Sequence, residues 1–115
     1  MGIFDDLHNI FQGNIRKISP KEAKENMEND PKIQLIDVRE NDEFYEGHMP
    51  KAKNIPLGTI SDEIKKYVTN KEVTIYLYCH SGMRSRQACI ELTKLGYTNV
   101  YNLGGIISWP YEIEK

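Results

Sequence analysis

A continuous apolar stretch at residues 73–78 runs directly into the sequence Cys79-His80-Ser81-Gly82-Met83-Arg84, and a segment with helical periodicity follows at residues 85–95. The apolar stretch predicts a strand that is buried on both faces. A strand, a short glycine-containing loop and a helix in this order are typical of a layered α/β fold. The loop is therefore predicted to lie between the carboxyl end of a central strand and the amino end of a helix.

The cysteine of this loop lies where a sulfur anion is stabilised. Free backbone N–H groups and the positive end of a helix dipole favour the thiolate over the thiol. Gly82 allows the loop to curl so that successive N–H groups point inward, and Arg84 adds a fixed positive charge. The residues predict a catalytic Cys79 inside a cradle for an anion. The candidate substrate-binding residues of the loop are His80, Ser81, Gly82, Met83 and Arg84.

The rest of the chain alternates between strand and helix patterns. Strands are predicted at residues 15–18, 33–38, 54–55 and 100–103, and helices at residues 41–45 and 57–68. A further helix opens at Ser19-Pro20, with Glu22 completing a capping box, and ends near Asp30. Gly96 is expected to end the helix that follows the cysteine loop. This order predicts a single α/β domain with a mostly parallel central sheet and helices on both faces.

Composition excludes several classes of function. The chain has 115 residues, enough for one domain with its own core, and 15 basic against 17 acidic residues give a net charge of −2, which does not support nucleic-acid binding. Two cysteines fit a reducing cytoplasm better than a secreted disulfide scaffold. No apolar run is long enough to span a bilayer. The histidines lack metal-ligand spacing, so we predict no metal and no cofactor.

The first 14 residues are predicted to be an amphipathic extension, and residues 15–115 the domain. Apolar residues recur at helical spacing in this extension: Ile3, Phe4, Leu7, Ile10 and Phe11. We expect a short helix that packs on the domain. A membrane-surface anchor and a partner-binding helix are the alternatives, although the absence of basic residues argues against anionic lipid.

Three motifs together resemble the rhodanese-type sulfurtransferase family. The first is Cys79-x-x-Gly82-x-Arg84, followed by Ser85, Ala88 and Leu92. The second covers residues 35–40 and 43–50 and continues to Pro56, and the third covers residues 96–109. The resemblance spans residues 18–109, in the order and at the spacing of the family. Met49 and Lys51 depart from the residues more usual in the turn of the second motif.

The resemblance implies a rhodanese-like domain that transfers sulfane sulfur. In that reaction the Cys79 thiolate takes the outer sulfur of a small anionic donor such as thiosulfate and becomes a persulfide. A thiol, a cyanide-like nucleophile or a protein then accepts the sulfur. One alternative is phosphatase-like or arsenate-reductase-like chemistry, in which arginine stands six positions after cysteine. Here Ser85 occupies that position. Another alternative is a sulfur carrier or protein-binding module.

Three residues have two interpretations each, and Asp37 has one. Arg84 either orients an anionic donor or rigidifies the turn. Arg39 either pairs with a nearby carboxylate as scaffold or lines the substrate pocket, and it is a candidate substrate-binding residue. Asp37 is expected to accept hydrogen bonds from backbone N–H groups of its own turn. Cys89 lies on the apolar face of its helix, which predicts core packing, with a resolving thiol as the alternative.

Overall fold

Four parallel strands form the central sheet of the computed structural model, which describes residues 15–115. The predicted N-terminal extension lies outside the described residues. In chain order the strands are β1 (Gln34–Asp37), β2 (Lys53–Asn54), β3 (Ile75–Cys79) and β4 (Val100–Gly105). Across the sheet the order is β2-β1-β3-β4, and every pairing is parallel. The strand that ends in Cys79 is therefore an internal strand, as the apolar stretch predicts.

Four helices accompany the sheet: α1 (Pro20–Asn29), α2 (Asn41–Glu46), α3 (Ile60–Tyr67) and α4 (Met83–Lys94). Short 3₁₀ turns occupy Leu57–Thr59 and Ile106–Ser108. The α1 helix begins as predicted, because the Ser19 hydroxyl accepts a hydrogen bond from the Glu22 N–H at 3.2 Å. The α4 helix ends at Lys94, and Gly96, two residues later, has a φ of +99° that suits glycine. None of the helices in residues 15–115 is long and apolar enough to cross a membrane.

Successive residues of β3 pack on opposite faces of the sheet. Ile75, Leu77 and Cys79 belong to a core that includes Ile64 of α3 and Leu92 of α4. Their neighbours pack on the other side: Tyr76 and Tyr78 share a second core with Ala23 of α1. The central strand is buried along its whole length because both faces are covered. The predicted α/β architecture with helices on both faces is confirmed.

Two sequence-based elements were wrong in detail. The strand predicted at residues 15–18 is a single bridge between Lys17 and Asn102, because Ser19 caps a helix immediately afterwards and leaves no room for a longer ladder. The α-helix predicted at residues 57–68 begins only at Ile60. The Leu57 N–H donates to the carbonyl of Val38 at 3.0 Å, which continues the pairing at the end of β1. Residues Leu57–Thr59 form a 3₁₀ turn, in which the Thr59 N–H donates to the carbonyl of Pro56 at 3.0 Å, and the backbone of Thr59 (φ −120°, ψ −2°) is not helical, so the α-helix begins after it.

The carboxyl ends of three strands meet at one edge of the sheet. Cys79 is the last residue of β3 and pairs in register with Gly105 of β4. On the other side, Tyr78 of β3 pairs with Asp37, the last residue of β1. This edge carries the cysteine loop and is where ligands bind in parallel α/β sheets.

Candidate active site

The Cys79 sulfur lies at the base of a cradle that the loop and the first turn of α4 form. The Gly82 N–H donates to Sγ at 3.0 Å, and the Ser85 N–H is 3.5 Å away. Gly82 adopts a φ of +106°, a conformation that side chains rarely allow, and this turns its N–H back towards the sulfur. Only 1% of Cys79 is exposed. A reacting molecule must therefore enter the cradle to reach the sulfur.

The cradle stabilises negative charge on the sulfur. Burial by itself raises the pKa of the Cys79 thiol. Hydrogen bonds from the Ser85 hydroxyl and from the backbone N–H groups of Ser85, Gly82 and Ser81 outweigh that effect, so the pKa is lowered overall. The four donors surround one atom because they belong to a single tight turn. These donors converge on the place where the sulfur of a thiolate lies.

Asn102 of β4 connects the residues of the cradle to the sheet through three hydrogen bonds. Its Oδ1 accepts from the Ser85 hydroxyl at 2.7 Å and from the Gly104 N–H at 2.9 Å, and its Nδ2 donates to the carbonyl of Gly82 at 3.1 Å. The Ser85 hydroxyl is 3.5 Å from Sγ and has only one proton. Because Asn102 is the nearer acceptor, the backbone N–H groups are the principal donors to the sulfur. Sequence reasoning missed Asn102.

Glycines of β4 allow the loop to lie directly on the strand. A β-carbon on Gly105 would overlap the carbonyl oxygen of His80 and lie 2.7 Å from the Cα of Ser81. A β-carbon on Gly82 would lie 3.3 Å from the Cα of Gly104. Because Gly105 has no side chain, the backbone of the loop can pack directly against β4.

Arg84 is held by Glu43 of α2. Nη1 and Nη2 donate to the two carboxylate oxygens at 2.7 and 3.0 Å. The hydrogen bonds from Arg84 lower the pKa of Glu43 to about 2, and the same pair raises the pKa of Arg84. Glu43 also accepts from the Glu40 N–H at 3.0 Å, which ties it to the start of its own helix. This contact links the first turn of α4 to α2. Glu43 belongs to the second sequence motif, but the sequence analysis did not predict that it pairs with Arg84.

Arg39 lies two residues after the end of β1 and is only 6% exposed. Its guanidinium pairs with Asp37 at 2.7 Å and donates to the carbonyl of Gly47 at 2.7 Å. Of the two environments considered for Arg39, the structure therefore shows the pairing with a carboxylate. Asp37 also accepts from the Arg39 N–H at 2.9 Å, a backbone hydrogen bond of the predicted kind.

The remaining predicted residues differ in their access to solvent. His80 and Ser81 are exposed on the loop, and Met83 is 79% exposed at the start of α4. Cys89 is buried in the core between the sheet and α4, and burial raises the pKa of its thiol to about 12.

Within residues 15–115, no three histidine, cysteine or acidic side chains come together as a metal site.

Comparison with known proteins gives a consistent result. A family model described as a rhodanese-like domain matches residues 19–111. The chain is 38% identical over 98 residues to the putative sulfurtransferase YtwF of Bacillus subtilis, covering 85% of this chain and 93% of that protein. It is 39% identical over 71 residues to the thiosulfate sulfurtransferase PspE of Escherichia coli, covering 62% and 68%. A solved structure, described as a rhodanese with anions from E. coli, matches with a TM-score of 0.69 at 35% identity, covering 72% of this chain and 98% of that chain.

Proposed function

Since the chain belongs to the rhodanese-like domain family, we propose that it is a sulfurtransferase that carries sulfane sulfur on Cys79. The observation that carries the proposal is the convergence of N–H donors on the Cys79 sulfur, with the Gly82 N–H at 3.0 Å. Every state of such a reaction places negative charge in the cradle. A preorganised set of donors stabilises that charge without rearrangement.

The proposed reaction has two displacements at sulfur. The Cys79 thiolate attacks the outer sulfur of thiosulfate, the S–S bond of the donor breaks, and sulfite leaves with the bonding electron pair. The product is an anionic persulfide on Cys79, whose outer sulfur lies within the cradle. A cyanide-like nucleophile, a thiolate or a protein thiol then attacks that outer sulfur, and the Cys79 thiolate leaves. No external oxidant or reductant is consumed.

The position of Arg84 favours sulfur transfer over phosphate hydrolysis. Both terminal nitrogens of its guanidinium donate to Glu43, which leaves fewer of its N–H groups for an oxyanion. The side chain six positions after Cys79 is Ser85, which is neutral and hydrogen-bonded to Asn102. A phosphate dianion would therefore meet a neutral side chain at the position where phosphate-hydrolysing proteins of this kind carry arginine. A single sulfur anion needs fewer donors, and the cradle supplies them.

Intact mass spectrometry before and after incubation with thiosulfate tests the proposal. We expect a gain of one sulfur atom, which cyanide removes. Cys79→Ser is expected to abolish the gain, while Cys89→Ser retains it because Cys89 is buried in the core. Absence of the sulfur adduct together with hydrolysis of an aryl phosphate would favour the phosphatase alternative.

The proposal also covers the class of sulfur donor and the cellular compartment. The donor is a small anion of the thiosulfate type, because a cradle of N–H groups selects negative charge. Cys79 and Cys89 are both free thiols in the structure, and Cys79 acts only as a thiolate. We therefore place the reaction in the cytoplasm, where thiols are kept reduced.

A further inference from the structure

Two of the most exposed large apolar side chains adjoin the cysteine loop. Met83, the first residue of α4, is 79% exposed, and Ile107, in the 3₁₀ turn after β4, is 65% exposed. Among the large apolar side chains of residues 15–115, only Tyr45 of α2 is exposed to a similar extent. An apolar side chain in water forgoes the free energy that its burial would give. Apolar contact is therefore available next to the loop from both the α4 side and the β4 side.

Met83 is held beside the cradle by its two neighbours in the chain. The Gly82 N–H donates to the Cys79 sulfur at 3.0 Å, and the Arg84 guanidinium pairs with Glu43 at 2.7 Å. The backbone of Met83 cannot leave the loop while these two contacts persist. Its side chain is unbranched and polarizable, so it adapts to the shape of an apolar body that touches it.

Ile107 is held against the loop from the end of β4. Its N–H donates to the carbonyl of His80, the residue after Cys79, at 3.4 Å. The Trp109 N–H closes the 3₁₀ turn on the carbonyl of Ile106 at 3.1 Å, and Ile106 packs against the second core. Ile107 is therefore presented to solvent by a turn that is attached to both the loop and the core.

The sulfur donor does not account for these two apolar side chains. Thiosulfate is a small dianion, and the N–H donors of the cradle suit its charge. The body of an acceptor stays outside the cradle, because the Cys79 residue that it must reach is only 1% exposed. The charges of Arg84 and Glu43 compensate one another beside the loop, so this pair does not select a charged acceptor. Met83 and Ile107 remain available for contact with the acceptor.

We propose that Met83 and Ile107 determine acceptor specificity and favour a protein thiol whose cysteine is flanked by apolar side chains. This specificity rests on the proposed function. In the second displacement the acceptor thiolate attacks the outer sulfur of the Cys79 persulfide, the S–S bond breaks, and Cys79 leaves as a thiolate with the bonding electron pair. The acceptor becomes the persulfide, and the contact with Met83 and Ile107 removes apolar surface of both partners from water.

Two uncharged peptide thiols serve as probes. Both are pentapeptides with an acetylated amino end, an amidated carboxyl end, alanine at each end and cysteine in the middle. Leucine flanks the cysteine in one and serine in the other, so that the backbone and the reacting thiol are the same. The protein is first loaded with one sulfur from thiosulfate, and intact mass spectrometry then follows the loss of that sulfur to excess peptide. We expect the second-order rate constant to be roughly tenfold larger for the leucine peptide.

Two variants and a control identify the residues responsible. Met83→Gln and Ile107→Thr introduce polar atoms while they keep an unbranched and a β-branched side chain, respectively. Each is expected to lower the ratio of the leucine rate constant to the serine rate constant roughly threefold. Ile107 lies outside the cysteine loop, so Ile107→Thr decides the question if Met83→Gln fails to fold. Tyr67→Gln is the matched control, because Tyr67 is exposed at the end of α3, shortly before β3 begins, whereas Cys79 ends β3. It should keep the wild-type ratio.

Cyanide distinguishes the failure of this specificity from the failure of the proposed function. If thiosulfate loads no sulfur, or if cyanide does not remove it from the wild-type protein, the proposed function is wrong and the acceptor specificity is wrong with it. If cyanide removes the sulfur but the two peptides react at equal rates, only the acceptor specificity is overturned. It is also overturned if both Met83→Gln and Ile107→Thr keep the wild-type ratio, or if Tyr67→Gln lowers the ratio as much as they do.

Discussion

Arg84 and Glu43 are 41 residues apart in the chain, yet their charged groups form a two-point ion pair with contacts of 2.7 and 3.0 Å. The pair joins the first turn of α4 to α2. Glu43 is in turn held by the Glu40 N–H, so the loop is connected to the end of β1 through α2. The arginine of the loop is therefore held by a carboxylate that the loop itself does not contain.

The first prediction concerns the pH dependence of this ion pair. Because the pKa of Glu43 is lowered from 4.5 to about 2, the pair stabilises the fold above pH 4.5, and this contribution is lost as the pH falls towards 2. Glu43→Gln is expected to lower the free energy of unfolding at pH 7 by roughly 0.5–1 kcal/mol, since both side chains are about a third exposed. Urea unfolding at pH 7 and near pH 2 measures the difference. A deficit of the same size at both pH values would contradict the ion-pair explanation.

The second prediction concerns the ionisation of Cys79. Its pKa is lowered by N–H and O–H donors despite burial, so alkylation by iodoacetamide should show a midpoint below that of a free cysteine, about 8.5. Cys89→Ser provides the background for this measurement, because Cys89 is buried and has a pKa of about 12. Arg84→Ala should raise the midpoint only in part, because the backbone donors remain. A midpoint at or above that of a free cysteine would remove the physical basis of the proposed mechanism.

The third prediction assigns a positioning role to Asn102. Asn102→Ala removes the donor to the Gly82 carbonyl and leaves the Gly104 N–H without its acceptor. We expect sulfur transfer to fall roughly 10-fold to 100-fold, because the Gly82 N–H is no longer fixed at the sulfur. The alkylation midpoint of Cys79 should rise in parallel, an effect that a general loss of stability would not produce. Unchanged values of both quantities in the folded variant would show that the loop keeps its shape without Asn102.

The contacts that the sequence predicts are the local ones. Ser19 caps α1 and Gly96 ends α4 through residues within one turn, so their effects follow from the sequence nearby. The position of Cys79 follows from the strand and helix patterns on either side of the loop. These features need no knowledge of which segments meet in space.

The side-chain pairs that the sequence analysis did not predict join residues that are far apart in the chain. Glu43 reaches Arg84, and Asn102 reaches Ser85, only after the strands have assembled in parallel. Polar residues such as Glu43 and Asn102 have no periodicity that would identify their partners, so a single sequence does not predict these pairs.

The last prediction tests the close contact between the loop and β4. Gly105→Ala places a β-carbon against the carbonyl of His80 and 2.7 Å from the Cα of Ser81, both of which belong to the loop backbone. Because backbone atoms cannot rotate away, the loop must shift as a unit and carry its N–H groups off the sulfur. We expect a loss of roughly 1–3 kcal/mol in the free energy of unfolding and a rise in the alkylation midpoint of Cys79.

Gly58→Ala is the matched control for this substitution. No atom lies within 4 Å of the position that a β-carbon on Gly58 would take, so the added methyl group meets open space. We expect this variant to keep wild-type sulfur transfer and the wild-type alkylation midpoint. If Gly105→Ala behaves like Gly58→Ala in urea unfolding and in alkylation, the loop tolerates displacement from β4. The shape of the cradle would then depend on Asn102 and the Arg84–Glu43 pair, and the glycine contact would have no part in it.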